Sequence, residues 1–455
     1  MPKITIIMPS LNVAQYIRAC MESVLIQTMQ DIEILAIDAG SDDGTVEILQ
    51  EYAAMDRRVR LIQSDRKSYG YQLNQGIGLA QGKYIGIVET DDVIQPDMYE
   101  VLYQVAENRG SDYAKGVAEA FMETSIGEDI RHSIKVFSQE RYDADGGIVV
   151  LAPEKHPELV LADFYLWSGI YKKEFLQGIR LNESAGAAYQ DIGFMLQVHS
   201  KAKQAVYLDK LVYRYRIDNT ASSCQNRNAF HYLVQEYEYV EQLLQGKAKM
   251  WYSACYCKLF RQTRERIFTM ARSGVFWEEA IPDIYNLTAK MQKAFQDGAL
   301  LKEYLEESER DEIKSLLKNP RQLYDIYEEV FQNKLNLLGD LFKKTEAQKA
   351  VIFGCGNWGR FCHILLDKRK HGTVVAYCDN DAAKHQSMVQ GIEVLELLQA
   401  VGKYPNAQYV IAGKYHTGEM RKQLNAIGIE DGQITEYTLG VDETLYLAEI
   451  MEAVK

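Results

Sequence analysis

The amino-acid sequence predicts an α/β protein in three successive parts, residues 1–225, 226–345 and 346–455. Three observations lead to this prediction. Short apolar runs alternate with helical segments through the first hundred residues, and the stretch that follows residue 226 has helical spacing. A strand, a glycine-rich loop and a helix then follow one another near residue 350. A chain of 455 residues is also too long for one compact core.

The first part alternates strands with helices. Strands are predicted at Ile4–Met8, Ile32–Ile37, Val59–Ile62 and Tyr84–Val88. Helices are predicted at Ala14–Gln27, Thr45–Tyr52 and Tyr71–Ala80, and a further helix is expected to have Pro96 in its first turn. Because the strands are apolar throughout, we expect a mostly parallel sheet that is covered on both faces. Ligands bind such sheets at the carboxyl ends of the strands, where polar clusters occur in this sequence.

Composition excludes several classes of protein. The net charge of −13 makes nucleic acid an unfavourable partner. The seven cysteines form no CxxC pair, so we expect buried free thiols in a reducing cytosol rather than a zinc site or a disulfide framework. No apolar run of about 18 residues predicts a membrane span, and the N-terminus lacks the basic region of a signal peptide.

Two adjacent carboxylates, Asp91 and Asp92, end the fourth predicted strand. Charge at a buried strand end needs compensation, and Mg²⁺ or Mn²⁺ with a bound diphosphate would supply it. The alternative is that these residues only cap the helix near Pro96.

Two further polar segments follow strands. The turn 38–45, Asp-Ala-Gly-Ser-Asp-Asp-Gly-Thr, suits hydrogen bonding to a base or ribose, or else is only a tight turn with a helix cap. The segment 65–74 contains Lys67 and Asn74 at a helix start. Cations and free N–H groups there suit a diphosphate, and a solvated loop is the alternative.

The order of these segments resembles glycosyltransferase family 2. Met8-Pro-Ser-Leu-Asn12 comes first, then the turn 38–45, then Gly82-Lys-Tyr-Ile with Glu89-Thr-Asp-Asp92. The resemblance covers about residues 1–220 and implies the GT-A fold and a typically inverting reaction. It implies Asp92 as the main metal ligand and a nucleotide-binding set of Pro9, Ser10, Asn12, Asp38, Gly40, Lys67, Asn74 and Asp91. The chain departs from the family at Ala39, where a second aspartate is common, and at Glu89, the leading acid.

The resemblance also implies a catalytic base. Family members have an acidic pair before an aromatic residue, and here Tyr189-Gln-Asp-Ile-Gly-Phe194 retains only Asp191. Upstream, Trp167-Ser-Gly-Ile-Tyr171 resembles the segment that lines the acceptor side, although a Trp is more often part of a core. Downstream, Tyr213-Arg-Tyr-Arg216 with Ser222-Ser223 follows in the usual order.

The third part contains a glycine motif. Gly354, Gly356 and Gly359 lie between a predicted strand and helix, and Asp379 follows at the next strand end. This is the dinucleotide fingerprint of a Rossmann-like unit. It predicts a second nucleotide site, and the alternative is a structural unit whose site is empty or repurposed.

Together these features predict a UDP-sugar-dependent transferase that acts on the hydroxyl of a glycan or lipid-linked acceptor, with Mg²⁺ or Mn²⁺ as cofactor. The expected location is the cytoplasm, with peripheral association at the inner membrane surface, and the expected role is surface glycan synthesis. One alternative is a nicotinamide-dependent oxidoreductase of a nucleotide sugar centred on residues 350–455. Another is a non-catalytic sugar-nucleotide-binding protein, which the presence of both Asp92 and Asp191 disfavours.

Overall fold

The computed structural model describes residues 1–122, 130–134, 146–186, 188–219, 228–273, 275–298, 304–346, 348–369, 372–413 and 415–439. The chain forms two compact units. The first consists of Met1–Ala120, Ser133–Met270 and Phe276–Tyr324, and the second of Phe121–His132, Ala271–Val275 and Asp325–Lys455. The three-part division at residues 225 and 345 stays a prediction.

Residues 1–345 contain the strands β1 (Ile4–Ser10), β2 (Ile32–Asp38), β3 (Val59–Gln63), β4 (Tyr84–Ile87), β5 (Val93–Ile94), β6 (Tyr113–Met122), β7 (Ile130–Ile134), β8 (Ile148–Leu151), β9 (Gly169–Lys172) and β10 (Ala205–Arg216). The helices are α1 (Ile17–Leu25), α2 (Thr45–Met55), α3 (Tyr69–Leu79), α4 (Met98–Arg109), α5 (Leu159–Ala162), α6 (Gln190–Lys201), α7 (Ala229–Leu244), α8 (Lys249–Arg272), α9 (Ile281–Gln296), α10 (Glu307–Lys318) and α11 (Pro320–Thr345).

The main sheet has the strand order β3-β2-β1-β4-β9-β6-β10-β5. Its first four strands are parallel, and β1 and β2 are buried along their whole length, as the apolar runs predict. The sheet as a whole is mixed rather than mostly parallel, because β9 pairs antiparallel with β4 and β6, and β5 pairs antiparallel with β10. Ser10 pairs with Asp38, so the carboxyl ends of β1 and β2 lie side by side.

Helix α4 begins later than the sequence predicts. Pro96 lies in the turn before the helix, and Met98 is the first helical residue. The Met98 N–H donates to Gln95 O and the Val101 N–H to Asp97 O, so this short turn leads into the helix. The helical middle region follows the prediction, with α7 packed on α6 and α9 packed on α7 and α10. Among the described helices, none is long and apolar enough to cross a membrane.

The second unit contains a smaller sheet. Its strands are β11 (Lys349–Phe353), β12 (Thr373–Cys378), β13 (Met388–Val389), β14 (Ile392–Leu395), β15 (Gln408–Ala412) and β16 (Ile434–Tyr437), and its further helices are α12 (Asn357–Arg369), α13 (Leu397–Lys403) and α14 (Thr417–Ala426). The order is β13-β14-β12-β11-β15-β16. Among the described strands of this smaller sheet, only β13 pairs antiparallel, with β14. Counted along the chain, the parallel strands β14-β12-β11-β15-β16 have the order 3-2-1-4-5 of doubly wound nucleotide-binding folds.

Candidate active site

The loops after β1 and β2 are joined by hydrogen bonds. The Asn12 N–H donates to Ser41 Oγ at 2.8 Å, and Asn12 Oδ1 accepts from the Asp42 N–H at 2.9 Å. The Asp38 carboxylate accepts from the N–H groups of Gly40 and Ser41 at 2.8 and 2.9 Å and from Ser41 Oγ at 2.5 Å. Asp38 is only 2% exposed. Its carboxylate therefore shapes the loop that a nucleoside would meet.

Pro9 and Ser10 tie the end of β1 to its neighbours. Pro9 O accepts from Thr90 Oγ1 at 2.9 Å, within the acidic segment after β4. Ser10 is buried, and its carbonyl accepts from Gln72 Nε2 at 3.0 Å. The loop after β1 is thus held against both the acidic segment and α3.

The two adjacent aspartates have different surroundings. Asp92 is fully buried, and its two carboxylate oxygens accept from the Tyr213 hydroxyl and the Arg216 N–H, each at 2.7 Å. Burial and the neighbouring charge of Asp91 raise the pKa of Asp92 well above its ordinary value. Asp91 is partly buried and accepts from Asn219 Nδ2 at 2.7 Å. Its other oxygen has no donor among the described residues, so the carboxylate of Asp91 has fewer partners than that of Asp92, and the metal role of Asp92 stays a prediction.

Glu89 links the acidic segment to the predicted base. Its carboxyl accepts a hydrogen bond from the Tyr69 hydroxyl. Burial raises the pKa of Glu89 to about 8, Tyr69 opposes the rise, and the charges of Asp91 and Asp191 add to it. The charges of Asp91 and Asp191 therefore both act on Glu89.

Lys67 and Asn74 have different environments. Lys67 is exposed. It lies beside the loop after β2, because a Cβ added at Gly40 would lie 3.9 Å from Lys67 Cε. Its ammonium has no acceptor among the described residues. Asn74 Oδ1 accepts from the Leu181 N–H, and its Nδ2 donates to Leu181 O and Glu183 Oε1, all at 3.0 Å. Asn74 thus holds the segment that leads to α6.

Asp191 lies in the first turn of α6, which follows Tyr189 in the left-handed conformation at φ 71°. Helix α7 supports this turn, because the Gly193 N–H donates to Glu236 Oε1 at 2.8 Å. A Cβ added at Gly193 would lie 2.5 Å from the same oxygen, so the close approach depends on glycine. Burial raises the pKa of Asp191 to about 6, while the charge of Lys258 lowers it.

Trp167 packs in the core rather than forming an open platform. It is 5% exposed and stacks on Tyr213 and Tyr215 at centroid distances of 4.6 and 5.3 Å. Tyr213 also donates to Asp92, so the stack supports the acidic segment. The predicted Ser222-Ser223 pair lies outside the described residues.

Sequence reasoning missed Lys258 of α8 and Glu236 of α7, both of which interact electrostatically with the predicted base. The only signal for Lys258 is a cation within an apolar run, Cys257-Lys-Leu-Phe260. No local pattern relates either residue to Asp191, because the three residues lie on different helices.

The glycine motif of the second unit lies between β11 and the first turn of α12. Gly354 has φ +103°, and a Cβ at Gly359 would lie 2.0 Å from Gly354 O, so the loop and α12 pack closely. A Cβ at Gly356 would meet nothing within 4 Å. The backbone at Gly356 therefore leaves space where a ligand would approach.

The carboxylate of Asp379 is committed to its own surroundings. It accepts from the Cys355 N–H and the Asp381 N–H, each at 3.0 Å, and from Lys384 Nζ at 3.3 Å. These bonds compete with the predicted contact to a ribose diol.

No cluster of three or more His, Cys, Asp or Glu side chains suited to a metal ion occurs among the described residues. Mg²⁺ is usually held by one or two carboxylates together with substrate phosphates and water. The open oxygen of Asp91 fits that kind of site. The six described cysteines, Cys20, Cys255, Cys257, Cys355, Cys362 and Cys378, are free and buried, as predicted.

Comparison with known proteins gives a consistent result. The family model described as glycosyl transferase family 2 matches residues 5–151. The chain is 30% identical over 245 residues to the uncharacterized glycosyltransferase YibD of Escherichia coli, which is 52% of this chain and 68% of YibD. It is 41% identical over 100 residues to chondroitin synthase of Escherichia coli, which is 22% of this chain and 15% of that protein.

Solved structures share the fold. The S. aureus TarS 1–349 structure in complex with UDP-GlcNAc matches with a TM-score of 0.51 and 17% identity, covering 73% of this chain and 92% of that one. The fold and the sequence relatives together define a glycosyltransferase of GT-A architecture. The chain belongs to glycosyltransferase family 2.

Proposed function

We propose that this protein is an inverting glycosyltransferase that moves a hexose from a UDP-linked donor to an acceptor hydroxyl. The observation that carries the proposal is that Tyr69, at the start of α3, joins the acidic segment to the segment before α6: its hydroxyl donates to Glu89, and its N–H donates to Gly186 O at 3.0 Å. We infer that Asp91 serves the donor diphosphate and that Asp191 serves proton abstraction at the same site.

Asp191 is the proposed base. A carboxylate with a pKa of about 6 is ionised at neutral pH and is a stronger base than an ordinary aspartate. It takes the proton of the acceptor hydroxyl as that oxygen attacks the anomeric carbon and the bond to the diphosphate breaks. The configuration inverts in this single displacement, so no enzyme nucleophile is required.

The donor diphosphate has two proposed contacts. The exposed ammonium of Lys67 lies beside the loop after β2, close to the start of α3. Asp91 would hold Mg²⁺ or Mn²⁺, which neutralises the leaving diphosphate when it is bound. The buried Asp92 accepts from Tyr213 and Arg216, and Arg216 Nε also donates to Asp91 O at 3.0 Å.

Two comparisons guide the choice of donor and acceptor. TarS is described in complex with UDP-GlcNAc, and chondroitin synthase is named for a glycan. In the loop after β2, the N–H of Ala39 is already used, because it donates to Ser10 O at 3.0 Å. We therefore assign the contacts with the nucleotide base to other residues of the same loop. The proposal includes a glycan or lipid-linked acceptor, a role in surface glycan synthesis, and a cytoplasmic enzyme at the inner membrane surface.

Released nucleoside diphosphate tests the donor. The full chain is incubated with Mn²⁺ and a panel of UDP-, GDP- and dTDP-sugars, and UDP, GDP and dTDP compete for binding. We expect the UDP-sugars to be consumed and UDP to compete best. A clear preference for GDP would overturn the donor assignment, and a product with retained anomeric configuration would overturn the inverting mechanism.

The oxidoreductase alternative has less support. Asp379, which would bind a nicotinamide cofactor's ribose, already accepts from Cys355, Asp381 and Lys384. The same panel with NAD added distinguishes the two reactions, since only an oxidoreductase would change the absorbance of the nicotinamide.

A further inference from the structure

We propose that Tyr213, in β10, is a positioning residue for the metal site: its hydroxyl joins the two ends of the acidic segment 89–92 and holds the Asp91 carboxylate where it binds the ion. This inference rests on the proposed function, in which Asp91 holds Mg²⁺ or Mn²⁺. Tyr213 lies outside residues 5–151, so the match to the family model does not assign it a role.

The hydroxyl of Tyr213 has one partner at each end of the acidic segment. It accepts from the Glu89 N–H at 3.1 Å and donates to Asp92 Oδ2 at 2.7 Å. The Asp92 N–H also donates to Glu89 O at 3.1 Å, so the segment forms a closed turn. Asp91 lies between these two bonded residues. The hydroxyl therefore limits how far the backbone of Asp91 can move.

The ring that carries this hydroxyl is held by packing and by a strand pairing. Tyr213 is fully buried, and its backbone pairs with Ile94 of β5. Its ring stacks on Trp167 with a centroid distance of 4.6 Å and an angle of 18° between the planes. Trp167 also stacks on Tyr215, two residues further along β10, at 5.3 Å. Because these contacts leave the ring little freedom, the hydroxyl is a fixed point for the acidic segment.

Other bonds from the same part of the chain hold Asp91 directly. Arg216 Nε donates to Asp91 O at 3.0 Å, and Asn219 Nδ2 donates to Asp91 Oδ2 at 2.7 Å. Tyr213 differs from both because its contribution comes from one uncharged oxygen atom. Phenylalanine at this position keeps the stacked ring and the charge of the site, and it removes only the two bonds to the acidic segment.

The expected effect is on metal affinity rather than on the chemical step. Groups that bond to the carboxylates of a metal site typically change metal affinity about 10- to 100-fold when they are removed. The hydroxyl of Tyr213 is bonded to the acidic segment itself, so we place it at a distance from the reacting atoms. At saturating metal and donor, kcat should therefore stay within about threefold of the wild-type value.

The test is Tyr213→Phe in the full chain. Electron paramagnetic resonance of free Mn²⁺, with UDP present, measures metal binding without any transfer reaction. We expect the dissociation constant for Mn²⁺ to rise about 10- to 100-fold. The Mn²⁺ concentration that gives half-maximal transfer should rise by the same factor, whereas UDP binding in excess chelator should match that of the wild-type chain.

A matched control is Tyr113→Phe in β6. Tyr113 is also fully buried, and its hydroxyl also has two partners, Tyr207 Oη at 2.7 Å and His199 Nδ1 at 3.0 Å, neither of which belongs to the acidic segment. Both variants lose one buried hydroxyl, so their melting temperatures should fall by similar amounts. Only Tyr213→Phe should lose affinity for Mn²⁺.

Two results would overturn the role of Tyr213 alone. They are an unchanged Mn²⁺ affinity in Tyr213→Phe, and an equal loss of Mn²⁺ affinity in Tyr113→Phe, which would indicate a general effect of stability. Failure of the proposed metal site is a separate result, because the wild-type chain would then bind no Mn²⁺ in the presence of UDP and would remain active in excess chelator.

Discussion

The two units share the order of four neighbouring strands but differ in the loop that follows the fourth of them. The first sheet contains β3-β2-β1-β4 and the second contains β14-β12-β11-β15, so each has the order 3-2-1-4. In both, a carboxylate after the second strand is bonded to loop N–H groups: Asp38 to Gly40 and Ser41, and Asp379 to Cys355 and Asp381.

The difference lies in the loop after the fourth strand. The chain continues after β4 with Glu89-Thr-Asp-Asp92, whereas it continues after β15 with Gly413-Lys-Tyr-His416, which has no carboxylate. The shared order determines where ligands approach the sheet. Carboxylates in this loop distinguish the first unit from the second at that position.

The largest expected effect belongs to Asp191, which has no counterpart in the glycine loop of the second unit. Asp191→Asn keeps the shape of the side chain but removes the base. We expect kcat to fall by about 10² to 10⁴-fold with donor affinity nearly unchanged, because the lost interaction belongs to the transition state. Steady-state rates and donor titration measure the two quantities. An equal loss of donor affinity would instead assign Asp191 to donor binding.

The second prediction compares one carboxylate from each unit. Asp91→Asn should lower transfer by about 10² to 10³-fold and weaken donor binding, and a chelator should do the same to the wild-type protein. The matched variant Asp379→Asn should leave transfer unchanged and lower the free energy of unfolding by about 1 to 3 kcal/mol, because it disturbs a bonded carboxylate. Full activity in excess chelator would contradict the metal assignment.

The smallest effect concerns the glycine loop. Gly356 has open space around its Cβ position, so Gly356→Val should fold and should block any nucleotide bound there. The measurement is calorimetric titration of the full chain with NAD, NADP and nucleotide sugars. The chain carries Asp91→Asn, which removes binding at the first site, so that only the second site is measured. A binding heat that is lost in Gly356→Val would support a nucleotide site. The absence of a binding heat with every ligand would leave the second unit a structural or partner-binding module.

Much of the fold follows from local sequence patterns. The apolar runs at β1 and β2 and the helical spacing of residues 226–344 predict the elements because burial of a strand or helix face leaves its period in the sequence. The antiparallel half of the main sheet was not predicted. Its strands are shorter or carry polar residues, and their pairing joins segments far apart in the chain, such as β4 with β9.

The sequence by itself determined the order of the motifs and the strand ends at which Asp38 and Asp91 occur. Only the tertiary structure decided which carboxylates are bonded within the protein and which face the cleft. Asp92 takes its donors from Tyr213 and Arg216 of β10, and the turn of Asp191 is held by Glu236 of α7. The physical reason is that periodicity is local, whereas satisfying a buried charge depends on partners that the fold brings from distant positions.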